Sequence, residues 1–248
     1  MSARTHFKTP SEKVATLGHP SYVWRFGQDR RLGLIRQWAP LEGKRILDVG
    51  CGLGMYMRKM RAFSPHVYGV EIDLERAMEA GRALSLVATA AAEALPFPDA
   101  SFDVILSHEM IEHVQDDRRS IAEAMRVLRP GGRLVLFCPN RLYFFETHGH
   151  YWRGRYYEGN TPLINWLPNS LRHRLAPHVR AYTRAGLRRL FDGLPARIIF
   201  HTQIYPGYDN IVYRWPRLGR LLRQVTYALE RTPLRVFGLS HFLVAERL

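Results

Sequence analysis

Apolar side chains in this chain come in short blocks separated by glycine, proline and charged residues, and the period changes from block to block. Between residues 20 and 38, Tyr22, Val23, Phe26, Leu34, Ile35 and Trp38 fall among Arg and Gln. That spacing predicts an amphipathic helix or a pair of turns, closed by Pro40 and Gly43. Arg45 to Val49 is a β-branched and leucine run that predicts a strand, and Met55 to Phe63 predicts a helix beginning directly after Gly54. The alternation then repeats, with strands expected over 66–71, 86–91, 102–107 and 133–138 and helices over 74–83 and 117–128. Strands alternating with helices imply right-handed crossovers and a sheet covered on both faces.

After Pro139 the pattern breaks into a stretch rich in aromatics, Arg, His and Pro, residues 140–182. A helix over 183–191 and strands near 198–202 and 241–245 follow. The fold class expected is therefore α/β: a doubly wound, mostly parallel seven-stranded sheet with an insertion after strand five. Such an insertion would lie over the carboxyl edge of the sheet, where α/β proteins bind ligands. We divide a single domain, 1–248, into a helical lead-in (1–39), a core (40–140), the aromatic and Arg-rich insertion (141–182) and a completing helix and strands (183–248). Late in the chain Leu218, Leu221, Leu222, Val225 and Leu229 fall on one helical face with Arg217, Arg220, Arg223 and Arg231 roughly opposite. A helix of this kind can cover the sheet or lie on an anionic membrane, and covering the sheet is the expected use.

Composition narrows the picture in three ways. The 248 residues are 46% hydrophobic and 23% charged, which fits one folded domain. No stretch approaches the roughly 18 apolar residues of a membrane span, and the first 23 residues carry no signal-type apolar block, so a cytoplasmic protein is expected. Cys51 and Cys138 have neither disulfide-framework nor metal-ligand spacing, so reduced thiols and no metal are expected. The net charge is +14, and residues 141–248 hold 17 Arg against 6 acids, +11 of that total. Anionic small molecules, acidic lipid and nucleic acid are all admissible partners of such a surface.

The chemistry centres on Asp48-Val49-Gly50-Cys51-Gly52-Leu53-Gly54. Glycines at every second position let the backbone turn tightly and approach a ligand closely. The dinucleotide fingerprint needs G-x-G-x-x-G, whereas the spacing here is G-x-G-x-G with an acid two residues before the first glycine. That difference disfavours NAD. Glu71, at the end of the second strand and 17 residues beyond Gly54, is placed to accept both hydroxyl protons of a ribose. Asp73 follows as a cap for the helix starting at Leu74.

With these residues, and with Ala92 to Ile105 and Val127 to Leu136, the chain resembles the class I S-adenosylmethionine (SAM)-dependent methyltransferases. It is most similar to the methyltransferase type 11 group that includes ubiquinone and menaquinone biosynthesis enzymes. The resemblance covers residues 40–140 well and implies a Rossmann-like fold with SAM as cofactor. The cofactor-binding set it implies is Asp48, Gly50, Cys51, Gly52, Gly54, Glu71, Ile72, Ala92, Glu93 and Ser107. Relatives usually carry an Asp against the adenine amino group, and Ala91 stands there in this chain, which passes that contact to the Ala92 backbone or to Glu93. His108 or His113, at the end of the fourth strand, would serve as general base or orient the acceptor, or be satisfied by backbone. The Asn/Asp-Pro-Pro-aromatic turn of base N-methylating enzymes is absent from Ser107 to Met110.

In-line methyl transfer relies on positioning, so the acceptor pocket decides function. Its expected walls are Tyr22 and Trp24 in front and, behind, Tyr143, Phe144, Phe145, His148, His150, Tyr151, Trp152, Tyr156 and Tyr157. With Arg141, Arg153 and Arg155 nearby, they suggest a flat or greasy acceptor with an anionic end. The pair His148 and His150 lacks the carboxylate or thiolate pattern of a metal site. The leading reading is methyl transfer to a small-molecule or lipid-linked acceptor, with an anionic membrane surface as a further partner. The alternatives are a basic RNA-modifying methyltransferase and a non-catalytic SAM-fold protein. Nothing in the sequence sets the oligomeric state.

Overall fold

Alternate side chains of the central strands leave on opposite sides, and both sides are buried, which is why these strands read as nearly continuous apolar runs. The computed structural model describes residues 23–248. Its strands β1 (Ile46–Val49), β2 (Val67–Glu71), β3 (Val87–Thr89), β4 (Phe102–His108), β5 (Leu128–Pro139), β6 (Ala196–Ile204) and β7 (Ser240–Arg247) form one sheet. The order across it is β6-β7-β5-β4-β1-β2-β3. Neighbours from β5 to β3 run parallel, and β7 alone is antiparallel to the strands on either side of it. The helices are α1 (Phe26–Trp38), α2 (Met55–Met60), α3 (Leu74–Ala83), α4 (Asp117–Val127), α5 (Asn169–Leu175), α6 (Arg184–Arg189), α7 (Asp209–Arg214) and α8 (Pro216–Leu229).

Ile46, Val104, Leu106, Val135, Phe137 and Phe242 point to the face covered by Leu32 and Ile35 of α1 and Met57 and Met60 of α2. Their chain neighbours Leu47, Ile105, Leu134, Leu136 and Leu243 point to the other face, under Ile121 and Met125 of α4 and Leu187 of α6. The period of two thus builds two cores from one set of strands. Strand order reverses between β1 and β4, so the carboxyl ends of these two strands flank the crevice where α/β sheets take ligands.

Three places differ from the sequence expectations. Arg129-Pro130-Gly131-Gly132 does not simply turn the chain between helix and strand: it bulges within β5, between the pairs Phe102↔Leu128 and Val104↔Arg133. Residues 141–182 contain two short hairpins, 145–146 with 161–162 and 150–152 with 155–157, and α5. They carry a small apolar cluster of their own, Ile164, Ala176 and Val179. Finally, α8 does not use its apolar stripe to cover the sheet. Gly219 and Thr226 are its buried residues, while Leu218, Leu221 and Val225 are half or more exposed.

Candidate active site

The first part of the site is the end of β1 and β2. Gly50 has φ +75°, and a side chain there would put its Cβ within 2.4 Å of Met110 Cγ, so the turn can pass under the loop after β4 only as glycine. Beside it, the space that a Cβ on Gly52 would take is open. Asp48 and Glu71 are both buried at this edge. Burial, followed by the Glu71 charge, pushes Asp48 up to about 7. Glu71 accepts the Gly52 N–H at 2.9 Å and the Asp73 N–H at 3.0 Å, which fixes its two oxygens against the glycine turn. Asp73 accepts the Arg76 N–H at 2.9 Å and so caps α3 as expected. Ile72 is about half exposed just beyond the strand, and Cys51 is buried in the turn as a free thiol. Cys138 is likewise free.

The second part is the end of β4. His108 lies under Arg31, whose Nη1 is 2.6 Å from His108 Nε2, and Tyr56 Oη is 3.2 Å from the same nitrogen. A guanidinium only donates, so Nε2 is an acceptor and the ring is neutral. Burial first and Arg31 second hold its pKa down at about 3. Arg31 also pairs with Glu109 at 2.9 Å and donates to Ser240 Oγ at 2.9 Å, and Ser240 Oγ donates to Glu109 at 2.7 Å. Burial opposes the Glu109 charge, but Arg31, His108 and Ser240 outweigh it and keep the group at about 2. This network ties α1 to the ends of β4 and β7.

One turn further on, Glu112 is buried with neither carboxyl oxygen hydrogen-bonded, and His113 Nδ1 and Ser107 Oγ are also buried without a partner. Burial and the Glu109 charge push Glu112 well above the carboxylate range. Burial, with His148 and His178, lowers His113 to about 3. Facing them from the segment after β5 is His148, its Nε2 3.7 Å from Glu112 Oε1. His148 is held by Glu146, which accepts from its backbone N–H at 3.0 Å and contacts Nδ1 at 3.1 Å. Glu146 in turn makes a buried 2.8 Å ion pair with Arg172. Burial would raise Glu146, yet the His148 hydrogen bond and charge and Arg172 bring it to about 2. Glu112, His113 and His148 offer one ligand atom each within 4.8 Å of one another, a spacing able to hold a cation.

Residues 47–136 match the profile of a methyltransferase domain. A ubiquinone biosynthesis O-methyltransferase of Mesorhizobium japonicum is 32% identical over 200 residues, 78% of this chain and 73% of that protein. The chain belongs to the SAM-dependent methyltransferases. Another protein of the same name, from Aromatoleum aromaticum, is 34% identical over 130 residues, 48% of this chain and 55% of that one, so the match spans only about half of that relative's length. Among solved structures, a SAM-dependent methyltransferase from Mesorhizobium loti overlays with a TM-score of 0.62 at 20% identity, covering 87% of this chain and 96% of that one. The [4+2]-cyclase SpnF overlays at 0.58 and 19% identity, covering 92% and 84%. At such identities the overlays speak for the fold alone, and SpnF shows that this fold also carries other reactions.

The methyltransferase's cofactor suits the residues present. Two buried carboxylates at the ends of β1 and β2, one of them driven toward neutrality by burial and the neighbouring Glu71 charge, and an open edge at Gly52 answer a ligand with an ammonium and a diol. Ala92 is packed into the core, and Glu93 spends one carboxylate oxygen on the N–H groups of Gln115 and Asp116, at 2.8 and 3.2 Å. Glu93 therefore anchors the approach to α4.

The acceptor walls are only partly as expected. Tyr22 lies outside the described residues, and Trp24 packs edge-on against Tyr56. Phe144 stacks on Trp166 and Phe237, Tyr151 and Tyr156 pack around His178, and His150 stacks on Tyr157 while bonding Thr161. Much of the aromatic surplus thus packs on itself. A cavity of about 440 Å³ opens beside His108 between α1 and the loop after β6, lined among others by Arg30, Arg31, Tyr205 and Tyr227. None of the aromatics 143–157 lines it. Sequence reasoning missed Arg31, Glu112 and the Glu146–Arg172 pair. Arg31 stands in a run of polar helix residues with no motif around it, while an acid inside the apolar run Met110 to Val114 was a signal that could have been weighed.

Proposed function

We propose that this methyltransferase transfers a methyl group to an oxygen of a small-molecule or lipid-linked acceptor bound at the end of β4, beside the paired rings of His113 and His148. One observation carries the reading: Ser107 Oγ and His113 Nδ1 are buried without a hydrogen bond on either side of Glu112, a buried carboxyl pushed well above its ordinary range, within a single seven-residue run. Each such atom costs stability unless a ligand or an ordered water satisfies it. The O-methyltransferase names of the relatives agree with an oxygen acceptor. The exposed apolar and Arg-bearing face of α8 supports a lipid-linked acceptor presented at an anionic membrane.

Bound SAM supplies a methyl carbon already activated for in-line displacement. On this reading Asp48 receives its ammonium, Glu71 its ribose hydroxyls, and Gly50, Cys51, Gly52 and Gly54 form the floor, with Ile72 and the Ala92 backbone on the adenine side and Ser107 nearest the acceptor. Glu93 is left to its structural bonds. His108, already accepting from Arg31, positions α1 and is not the base. His113 is the group that would accept the hydroxyl proton: burial, His148 and His178 keep its ring neutral, with Glu109 opposing them only in part, so Nδ1 is free to accept.

A second reading comes from the same spacing: a divalent cation on Glu112, His113 and His148 would bind the acceptor oxygen as an oxyanion and let Glu112 ionise. Methyl-labelled SAM with phenolic and lipid-linked alcohols tests both. A fall in kcat of about 10²–10⁴ in His113→Gln with unchanged SAM affinity is expected. Label on nitrogen, or full activity in the variant, contradicts the proposal. Loss of activity in EDTA restored by a divalent cation selects the second reading.

A further inference from the structure

The helix α8 is built the wrong way round for a core helix. Its inward positions are small: Gly219 is buried so closely against α7 that a Cβ would come within 2.6 Å of the Val212 backbone, and Thr226 is buried with its hydroxyl returned to the Leu222 carbonyl at 2.8 Å. Three of its large apolar residues face out, while Leu222 and Leu229 are partly buried. Leu218 and Leu221 are each 57% exposed and Val225 50%, and Trp215 at the helix start is 53% exposed. On a helix these residues fall on one stripe, so they form one apolar strip of surface.

Cations gather at the Trp215 end of the strip. No acid occurs between residues 210 and 229, and Arg214, Arg217, Arg220, Arg231 and Arg235 make no ion pair among the described residues. Arg214 lies over the Trp215 ring at 4.9 Å, and Arg214, Arg217 and Arg220 share one shallow surface depression with Trp215 and Leu218. Apolar side chains with a tryptophan at one end and unpaired guanidinium groups beside them are the pattern of a helix that lies in the plane of a lipid interface. No helix among the described residues is long and apolar enough to cross a membrane, so the attachment would be peripheral.

We infer that α8 is a membrane-docking surface, seated on bilayers rich in acidic lipid with Trp215, Leu218, Leu221 and Val225 in the acyl boundary and the arginines among the headgroups. The inference deepens the reading of a lipid-linked acceptor, since a docked enzyme meets such an acceptor where it resides. Charge complementarity selects the occupant: a second copy of this +14 chain would bring like charges together.

The test is sedimentation of the full chain with vesicles of phosphatidylcholine alone and with a quarter phosphatidylglycerol, at low and high salt. Binding to the acidic vesicles only, weakened several-fold by salt, is expected. Leu218→Gln/Leu221→Gln should reduce it at least tenfold while leaving the unfolding midpoint unchanged, as exposed positions do. Brominated lipid should quench tryptophan emission in the natural chain and much less in Trp215→Phe. Absence of vesicle binding, equal binding by the double variant, or loss of the strip to dimerisation or RNA binding overturns the inference. SAM binding and transfer to a soluble phenol are measured alongside. Their survival without vesicle binding removes the docking surface and leaves the methyl-transfer reading, and vesicle binding without transfer does the reverse.

Discussion

Residues 46–139 and residues 141–239 solve the same problem with different means. In the first region every second side chain of a strand enters one of two apolar cores, and the polar groups at the carboxyl edge are left to serve a ligand. In the second, Phe144, Trp152, Trp166, Trp215 and Leu218 are about half exposed, while a charged pair, Glu146 and Arg172, occupies the interior. The first region is therefore specified by patterning and tolerates conservative apolar exchange. The second is specified by a few polar contacts, and removing one partner strands the other.

Two substitutions set these regions against each other. Phe137→Ala, in the centre of the sheet, should cost about 3–5 kcal/mol in global unfolding. Glu146→Ala should cost a similar ~3–5 kcal/mol by leaving Arg172 buried and unpaired. In hydrogen exchange that loss should concentrate in 141–182 and release His148 from its place opposite Glu112. Equal loss of protection across both regions would erase the distinction. Gly50→Ala comes next, at about 2–4 kcal/mol, because the position is left-handed and its Cβ would strike Met110. Urea unfolding reads it.

A pH dependence is expected at Asp48. Its folded pKa, about 7, lies above its ordinary 3.8, so the stability it lends the ligand-free fold is present below pH 3.8 and lost as pH rises to about 7. Cofactor binding runs the other way, since an ammonium needs the carboxylate ionised. Below about pH 7, SAM affinity should fall by up to about tenfold per unit, and in Asp48→Asn the dependence should vanish. A flat profile in the natural chain would place the ammonium elsewhere.

The two regions were also unequally legible in the sequence. Strand and helix periods, the glycine turn and the acids at 48 and 71 are local signals, and the structure places each where the pattern put it, with helix and strand ends shifted by a few residues. Asp73 was readable as a cap because capping depends on three neighbouring residues. By contrast, the meeting of Arg31 with His108, Glu109 and Ser240 joins residues 77 to 209 positions apart. The facing of His148 and Glu112 depends on two hairpins whose register no single run records. The outward apolar stripe of α8 was visible as a stripe. Which way it faced was decided by the glycine and threonine on its flank, where α7 can approach closely only because Gly219 has no side chain. Much of the aromatic segment beyond Asn140 packs on itself, a use that composition does not distinguish from lining a pocket.

The central claim is that the edge formed by Asp48, the glycine turn and Glu71 holds SAM. Calorimetric titration of SAM into the natural chain and into Glu71→Gln, which keeps the shape of the side chain and removes its charge, tests it most directly. Binding by the natural chain, weakened by about 10–100-fold in the variant through loss of charge-assisted hydrogen bonds worth ~1.5–3 kcal/mol, is the predicted result. Equal affinity in the two proteins, or no binding by the natural chain freed of copurified ligand, would contradict it.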